Sequence, residues 1–167
     1  MLITDRTLLA FVDTKDPFMP SEVAGEDLAG PILSLMAVRE FDFLFLFYTP
    51  YTKAKAEATR DEVTRRYASC PVRMHELPVS DPNDYSSLMG CLTGKVREIM
   101  RPSHDADTSV CVSSGTPEMR AAWLLLAAAG ALPAKLLRVD SPSGAFFGVP
   151  DVKEVRLDKT IGQVHKP

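Results

Sequence analysis

Four small residues, Ser113, Ser114, Gly115 and Thr116, stand between an apolar run and a segment of helical composition, "PEMRAAWLLLAAA". Hydroxyls beside a glycine that lets a ligand approach the backbone, all at a helix start, are the parts of an anion site. Thr116 is a good N-cap and Pro117 fits the first helical position. Glu118 sets a carboxylate at the positive end of the helix dipole. The same features also describe an ordinary strand-to-helix turn. The segment is not a P-loop, which needs a lysine after its last glycine. It has one glycine where the dinucleotide fingerprint has three.

Such a turn holds a ligand only if a strand ends just before it and a helix starts just after. Short apolar runs supply the strands, at 6–13, 41–50, 71–78, 109–113, 134–140 and 151–158. The run 41–50 is apolar on both faces and reads as an interior strand. The run 71–78 alternates and reads as nearer an edge, and 151–158 alternates Val and Leu with charges, as a half-exposed strand does. Helical patterns fill the gaps at 29–41, 52–67, 81–100 and 117–129. Gly130 and Pro133 mark the end of the last one. Strand and helix in alternation predict an α/β fold, a Rossmann-like, mostly parallel sheet with helices on both faces. In such sheets ligands bind beyond the carboxyl ends of the strands. The loops 13–22, 48–55, 78–85 and 113–119 should therefore share one rim.

The 167 residues suffice for one domain with a real core, 46% of them hydrophobic and 25% charged. We expect a single domain over 1–158, with 159–167 a tail or the start of a linker. A net charge of −3 argues against a bulk grip on long nucleic acid, which needs many cationic contacts to phosphate. A short anion in one local site is compatible with it. No apolar stretch approaches the ~18 residues of a membrane span, so no membrane partner is expected. Cys70, Cys91 and Cys111 have neither disulfide nor metal spacing, which fits a reducing cytoplasm. No cofactor and no metal are expected.

The segment "VSSGTPEMRAAWLLLAAAGALPAKLL" (112–137) resembles the signature of CARF domains, the Rossmann-like sensors associated with CRISPR systems. It is most similar to the N-terminal sensor domain of RNA-repair operon regulators, which are sigma-54-dependent activators. "EDLAGPILSLM" (26–36), "LFYTPYT" (46–52) and "VSDPNDYSSL" (79–88) follow the same family's order. The likeness covers most of 6–140, with Ser-Ser-Gly-Thr-Pro its most specific piece. It implies a homodimer whose strand-end rims form one symmetric pocket for a cyclic oligoadenylate, or for an RNA-end nucleotide signal. By carry-over, Ser113, Ser114, Gly115 and Thr116 contact phosphate or ribose, and Asp13, Thr14 and Lys15 form the second part of the pocket. Thr49 and Lys53 are further candidates. Where similar domains have Gln, this chain has Glu118, which either turns away from the anion or accepts from a base edge. In the family an AAA+ ATPase and a DNA-binding region lie downstream. This chain has no Walker motif and no helix-turn-helix segment, so it reads as an excised sensor domain or a stand-alone member.

Two alternatives stand beside the sensor. Some CARF domains cleave their ring by aligning a ribose 2′-hydroxyl with the next phosphodiester, which needs no metal. Thr14, Lys15, Ser114 and Thr116 would do this in a ring nuclease. The other alternative is a dimerisation domain that has lost its ligand. Trp123 reads as core or dimer interface. His75 and His104 lack partners at metal or triad spacing, His165 reads as an exposed tail residue, and Cys111 reads as a small buried residue.

Overall fold

The computed structural model describes residues 5–20, 25, 27–100, 107–140 and 149–157. In chain order its elements are β1 (Arg6–Phe11), β2 (Phe18–Met19), β3 (Leu28–Ala29), α1 (Pro31–Val38), β4 (Phe43–Tyr48), α2 (Lys53–Arg66), β5 (Val72–Glu76), α3 (Tyr85–Met100), β6 (Asp107–Cys111), α4 (Pro117–Ala128), β7 (Lys135–Asp140) and β8 (Asp151–Val155). A single 3-10 turn, Pro50–Thr52, leads into α2. The main sheet runs β5-β4-β1-β6-β7-β8. Its first five strands are parallel, and β8 pairs antiparallel with β7. The sheet is thus the mostly parallel, Rossmann-like one that the sequence pattern predicts.

Alternation along each strand divides the core in two. Leu9, Phe11, Phe47, Val110 and Leu136 point to the face covered by α3 and α4. Leu8, Ala10, Leu44, Leu46, Cys111 and Leu137 point to the face covered by α1 and α2. Both faces of the inner strands are therefore apolar, which explains their unbroken hydrophobic runs. On the first face Trp123, Phe11 and Phe47 form a ring cluster with centroids 5.1 to 5.7 Å apart. Trp123 is fully buried, so the core reading of this residue holds within the chain.

Some boundaries differ from the sequence reading. The first helix ends at Val38 rather than near Phe41. Beyond it, Glu40 and Asp42 are drawn to the Arg6 guanidinium, at 2.8 Å and 3.0 Å, and Asp42 N–H donates to the Arg6 carbonyl. The third helix starts at Tyr85 rather than Asp81, because Asp84 caps it through Ser86 N, Ser87 N and the Ser87 hydroxyl. Asp81 holds only the preceding turn, through Asn83 N. The two-residue strands β2 and β3 pair antiparallel and are too short for periodicity to show. His104 and the segments 141–148 and 158–167 lie outside the described residues.

Candidate functional site at the β1–β6 switch point

From β1 the chain steps through β4 to β5 on one side, then returns to β6 on the other side of β1 and continues to β7. The order reverses between β1 and β6. The carboxyl ends of two such strands are where open α/β sheets take their ligands. The residues that follow these strands here are Asp13–Asp16 and Ser113–Thr116.

The two loops are cross-braced by carboxylates. Asp13 Oδ2 accepts from Gly115 N at 3.0 Å, and its Oδ1 accepts from Lys15 N at 2.6 Å. Asp16 is fully buried. Its Oδ2 accepts from the Ser114 hydroxyl at 2.5 Å and from Asp13 N at 3.3 Å, and its Oδ1 accepts from Ile32 N at 3.3 Å. Ile32 belongs to the first turn of α1, whose N-cap is Gly30 and so has no side chain to offer. Asp16 therefore serves as a remote cap for α1 while tying it to both loops. Burial pushes its carboxyl up to about 6, while the Ser114 hydroxyl and the backbone donors oppose the shift.

Backbone geometry makes room for this. Gly115 has φ +95°, a region L side chains rarely adopt. A Cβ there would also stand 2.9 Å from Phe11 Cβ and 3.1 Å from Met119 Cβ. At Gly30 a Cβ would collide with the Lys15 carbonyl and with Asp16 Oδ1. These two glycines let α1 and the turn close on the first loop.

The predicted residues fall into distinct places. Thr14 and Lys15 are exposed on the rim, and Asp13 and Thr116 are partly exposed. Thr116 caps α4 by accepting from Met119 N at 3.2 Å. Ser113 reaches sideways to β7, accepting from Val139 N at 2.8 Å and donating to Val139 O at 3.3 Å. Ser114 and Gly115 are buried, and the Ser114 hydroxyl is committed to Asp16. Thr49, after β4, is buried with its hydroxyl unpartnered among the described residues, and Lys53 is exposed. Glu118 is half-buried, and its Oε2 is enclosed without a hydrogen-bond partner among the described residues.

The turn already holds an anion, which is the carboxylate of Asp13 on the Gly115 N–H. Asp16, the residue that organises the crevice, escaped the sequence reading. Its signal was present in "DTKDP": a second acid three residues after Asp13, in the loop of a predicted strand. Among the described residues no group of three or more His, Cys, Asp and Glu is placed to hold a metal ion, and no helix is long and apolar enough to cross a membrane. His75 stacks on Phe45 and Phe47 at 5.6 and 5.5 Å. Burial holds its imidazole below the usual range.

The family model described as "Regulator of RNA terminal phosphate cyclase" matches residues 30–158. No curated relative matches the chain in sequence. Among solved structures the chain is similar to Enterococcus italicus Csm6 bound to cyclic hexa-2'-fluoro-hexa-dAMP. The TM-score is 0.76 at 13% identity, over 97% of this chain and 45% of that one. It is also similar to Can2 from Sulfobacillus thermosulfidooxidans in complex with cyclic tetra-adenylate. There the TM-score is 0.52 at 17% identity, over 81% of this chain and 32% of that one. These likenesses establish the fold, which is of the CARF type. The chain spans less than half the length of either structure.

Proposed function

The chain belongs to the family of regulators of RNA terminal phosphate cyclase, and from that premise we propose that it is a nucleotide-sensing regulatory domain. It binds a cyclic oligoadenylate or an RNA-end nucleotide across a homodimer and controls a downstream transcriptional effector. The observation that carries this reading is the pair of cross-braced loops at the sheet's switch point, where open α/β sheets take their ligands. Asp13 and Asp16 bind both loops there into one body, and Thr14, Lys15 and Thr116 remain accessible. The printed ligands of the two similar structures, a cyclic hexanucleotide analogue and cyclic tetra-adenylate, supply the ligand class.

The chemistry of the rim divides the ligand's parts. Each Asp13 oxygen accepts one backbone N–H and keeps a second acceptor position. A carboxylate repels phosphate but accepts from a ribose hydroxyl or an exocyclic amine. Asp13 thus reads a donor, and the phosphates pair with the ammonium groups of Lys15 and Lys53. Ser114 fixes the frame through Asp16, while Ser113 and Thr116 flank the pocket. A two-fold arrangement presents the same contacts twice, which suits a ring with internal symmetry.

Melting curves with cyclic tetra-adenylate, cyclic hexa-adenylate and an RNA bearing a cyclic phosphate end test this reading. A ligand at a hundred times its Kd raises the melting temperature of a domain this size by about 5 °C or more. No shift with any of the three contradicts a sensor and favours the ligand-free dimerisation domain. Incubation with labelled rings tests the ring-nuclease reading. Its Thr14, Lys15 and Thr116 are accessible, while its Ser114 is enclosed. The sensor predicts intact rings, and linear products that vanish in Lys15→Ala would establish the enzyme.

A further inference from the structure

Among the described residues exposed aromatic rings are uncommon, and two of them stand on the rim. Tyr51 is 72% exposed and sits in the 3-10 turn that follows β4, beside β1 in the sheet. Tyr85 is 36% exposed and opens α3 after the next loop. Tyr51 is also anchored: its hydroxyl donates to the Ser80 carbonyl at 2.9 Å. Its turn is pinned by Thr49 N donating to Thr52 Oγ1 at 3.1 Å and Thr52 N donating to Thr49 O at 3.0 Å. A ring that leaves most of its surface in water while its hydroxyl is hydrogen-bonded offers its face at a lower ordering cost than an untethered one. That is the configuration of a stacking platform, which binds best when its face is already oriented. Two residues on, the exposed Lys53 offers a cation for the adjoining phosphate.

We propose that Tyr51 is a base-stacking residue, taking a purine ring on its exposed face at the β4 end of the rim. This rests on the reading that the rim binds an oligonucleotide. It extends the site beyond the β1–β6 crevice to a second contact of different chemistry: a π-face where the crevice supplies charges and hydrogen-bond acceptors. Stacking on a tyrosine is tolerant of which base is offered. Tyr51 therefore adds affinity, and the choice of base falls to Asp13.

The probe is cyclic tetra-adenylate with one adenine replaced by 2-aminopurine, whose fluorescence is quenched on stacking. Wild-type protein is expected to bind and quench it. Tyr51→Phe keeps the ring and loses the tether, and should quench and bind within about threefold of wild type. Tyr51→Leu should lose the quench and weaken binding by about 10-fold or more. Its melting temperature should stay at the wild-type value, since the side chain is mostly in water. A wild-type protein that binds the probe while Tyr51→Leu quenches and binds equally overturns the stacking role alone. Equal damage in Tyr51→Phe and Tyr51→Leu also overturns it, because the tether and not the ring would then matter. So does a change of oligomeric state in Tyr51→Leu by light scattering, which would make the residue a subunit contact. A wild-type protein that ignores this probe and the 2-aminopurine forms of cyclic hexa-adenylate and of the cyclic-phosphate RNA as well overturns the rim reading, and the stacking role falls with it.

Discussion

At the scale of the residue, Asp16 does most to define the crevice. Its carboxyl, raised to about 6 by burial, binds a proton in the folded chain more tightly than in the unfolded one. Folded protein therefore carries the extra proton between about pH 4 and 6, and Asp16's contribution to stability falls as pH rises through that window. Asp42, Asp84 and Asp140 act in the opposite sense, since their partners hold them below the usual carboxylate range. Their contributions are lost only at lower pH. Asp16→Asn cannot ionise. The difference in unfolding free energy between wild type and Asp16→Asn should shift by on the order of 3 kcal/mol from pH 4 to pH 7. Urea titrations at those two pH values measure it, and a pH-independent difference contradicts the assignment. Ser114→Ala removes the donor at 2.5 Å and should cost about 1–3 kcal/mol. It should also push the Asp16 carboxyl higher still, which carboxyl chemical shifts would report. The turn itself was legible in the sequence, because Ser, Gly, Thr and Pro in that order specify a strand end and a capped helix. The binding partner of Ser114 was not. A contact between residues 98 positions apart in the chain depends on which strands are neighbours, and local spacing carries no such information.

At the scale of the element, α4 shows how far local pattern reaches. Its start at Pro117 and its end near Ala128 follow from a cap, a first-turn proline and a glycine stop. Its burial follows from its composition. Trp123→Ala should cost about 3–5 kcal/mol, because the fully buried ring packs against both Phe11 and Phe47 and its loss leaves a cavity. Gly115→Ala, one residue before the cap, should cost about 1–3 kcal/mol from strained φ and the approach to Phe11. Equilibrium denaturation measures both, and a neutral Gly115→Ala would contradict the tight closure of the turn. The short end of α1 and the later start of α3 show the limit of periodicity. Helical pattern continued into 39–41 and 81–84, but the side chains of Arg6 and Asp84 found better partners there. The antiparallel direction of β8 was equally hidden, since a half-exposed strand alternates in the same way whichever way it runs.

At the scale of the whole molecule, the sheet order decides where function sits. Strand alternation foretold a parallel sheet and one rim, and the order that makes β1 and β6 neighbours selects which two loops on that rim form the crevice. A sensor shared between two copies should sediment as a dimer, and ligand should strengthen the association rather than weaken it, because both protomers contribute to the bound state. The most direct test of the account is calorimetry on wild type and Lys15→Ala with cyclic tetra-adenylate, cyclic hexa-adenylate and RNA carrying a cyclic phosphate end. Wild type is expected to bind at least one of them with a Kd of tens of micromolar or tighter, about −6 kcal/mol. Lys15→Ala is expected to bind that ligand about 10-fold more weakly. Heats indistinguishable from dilution for all three ligands, or equal binding by Lys15→Ala, would contradict it.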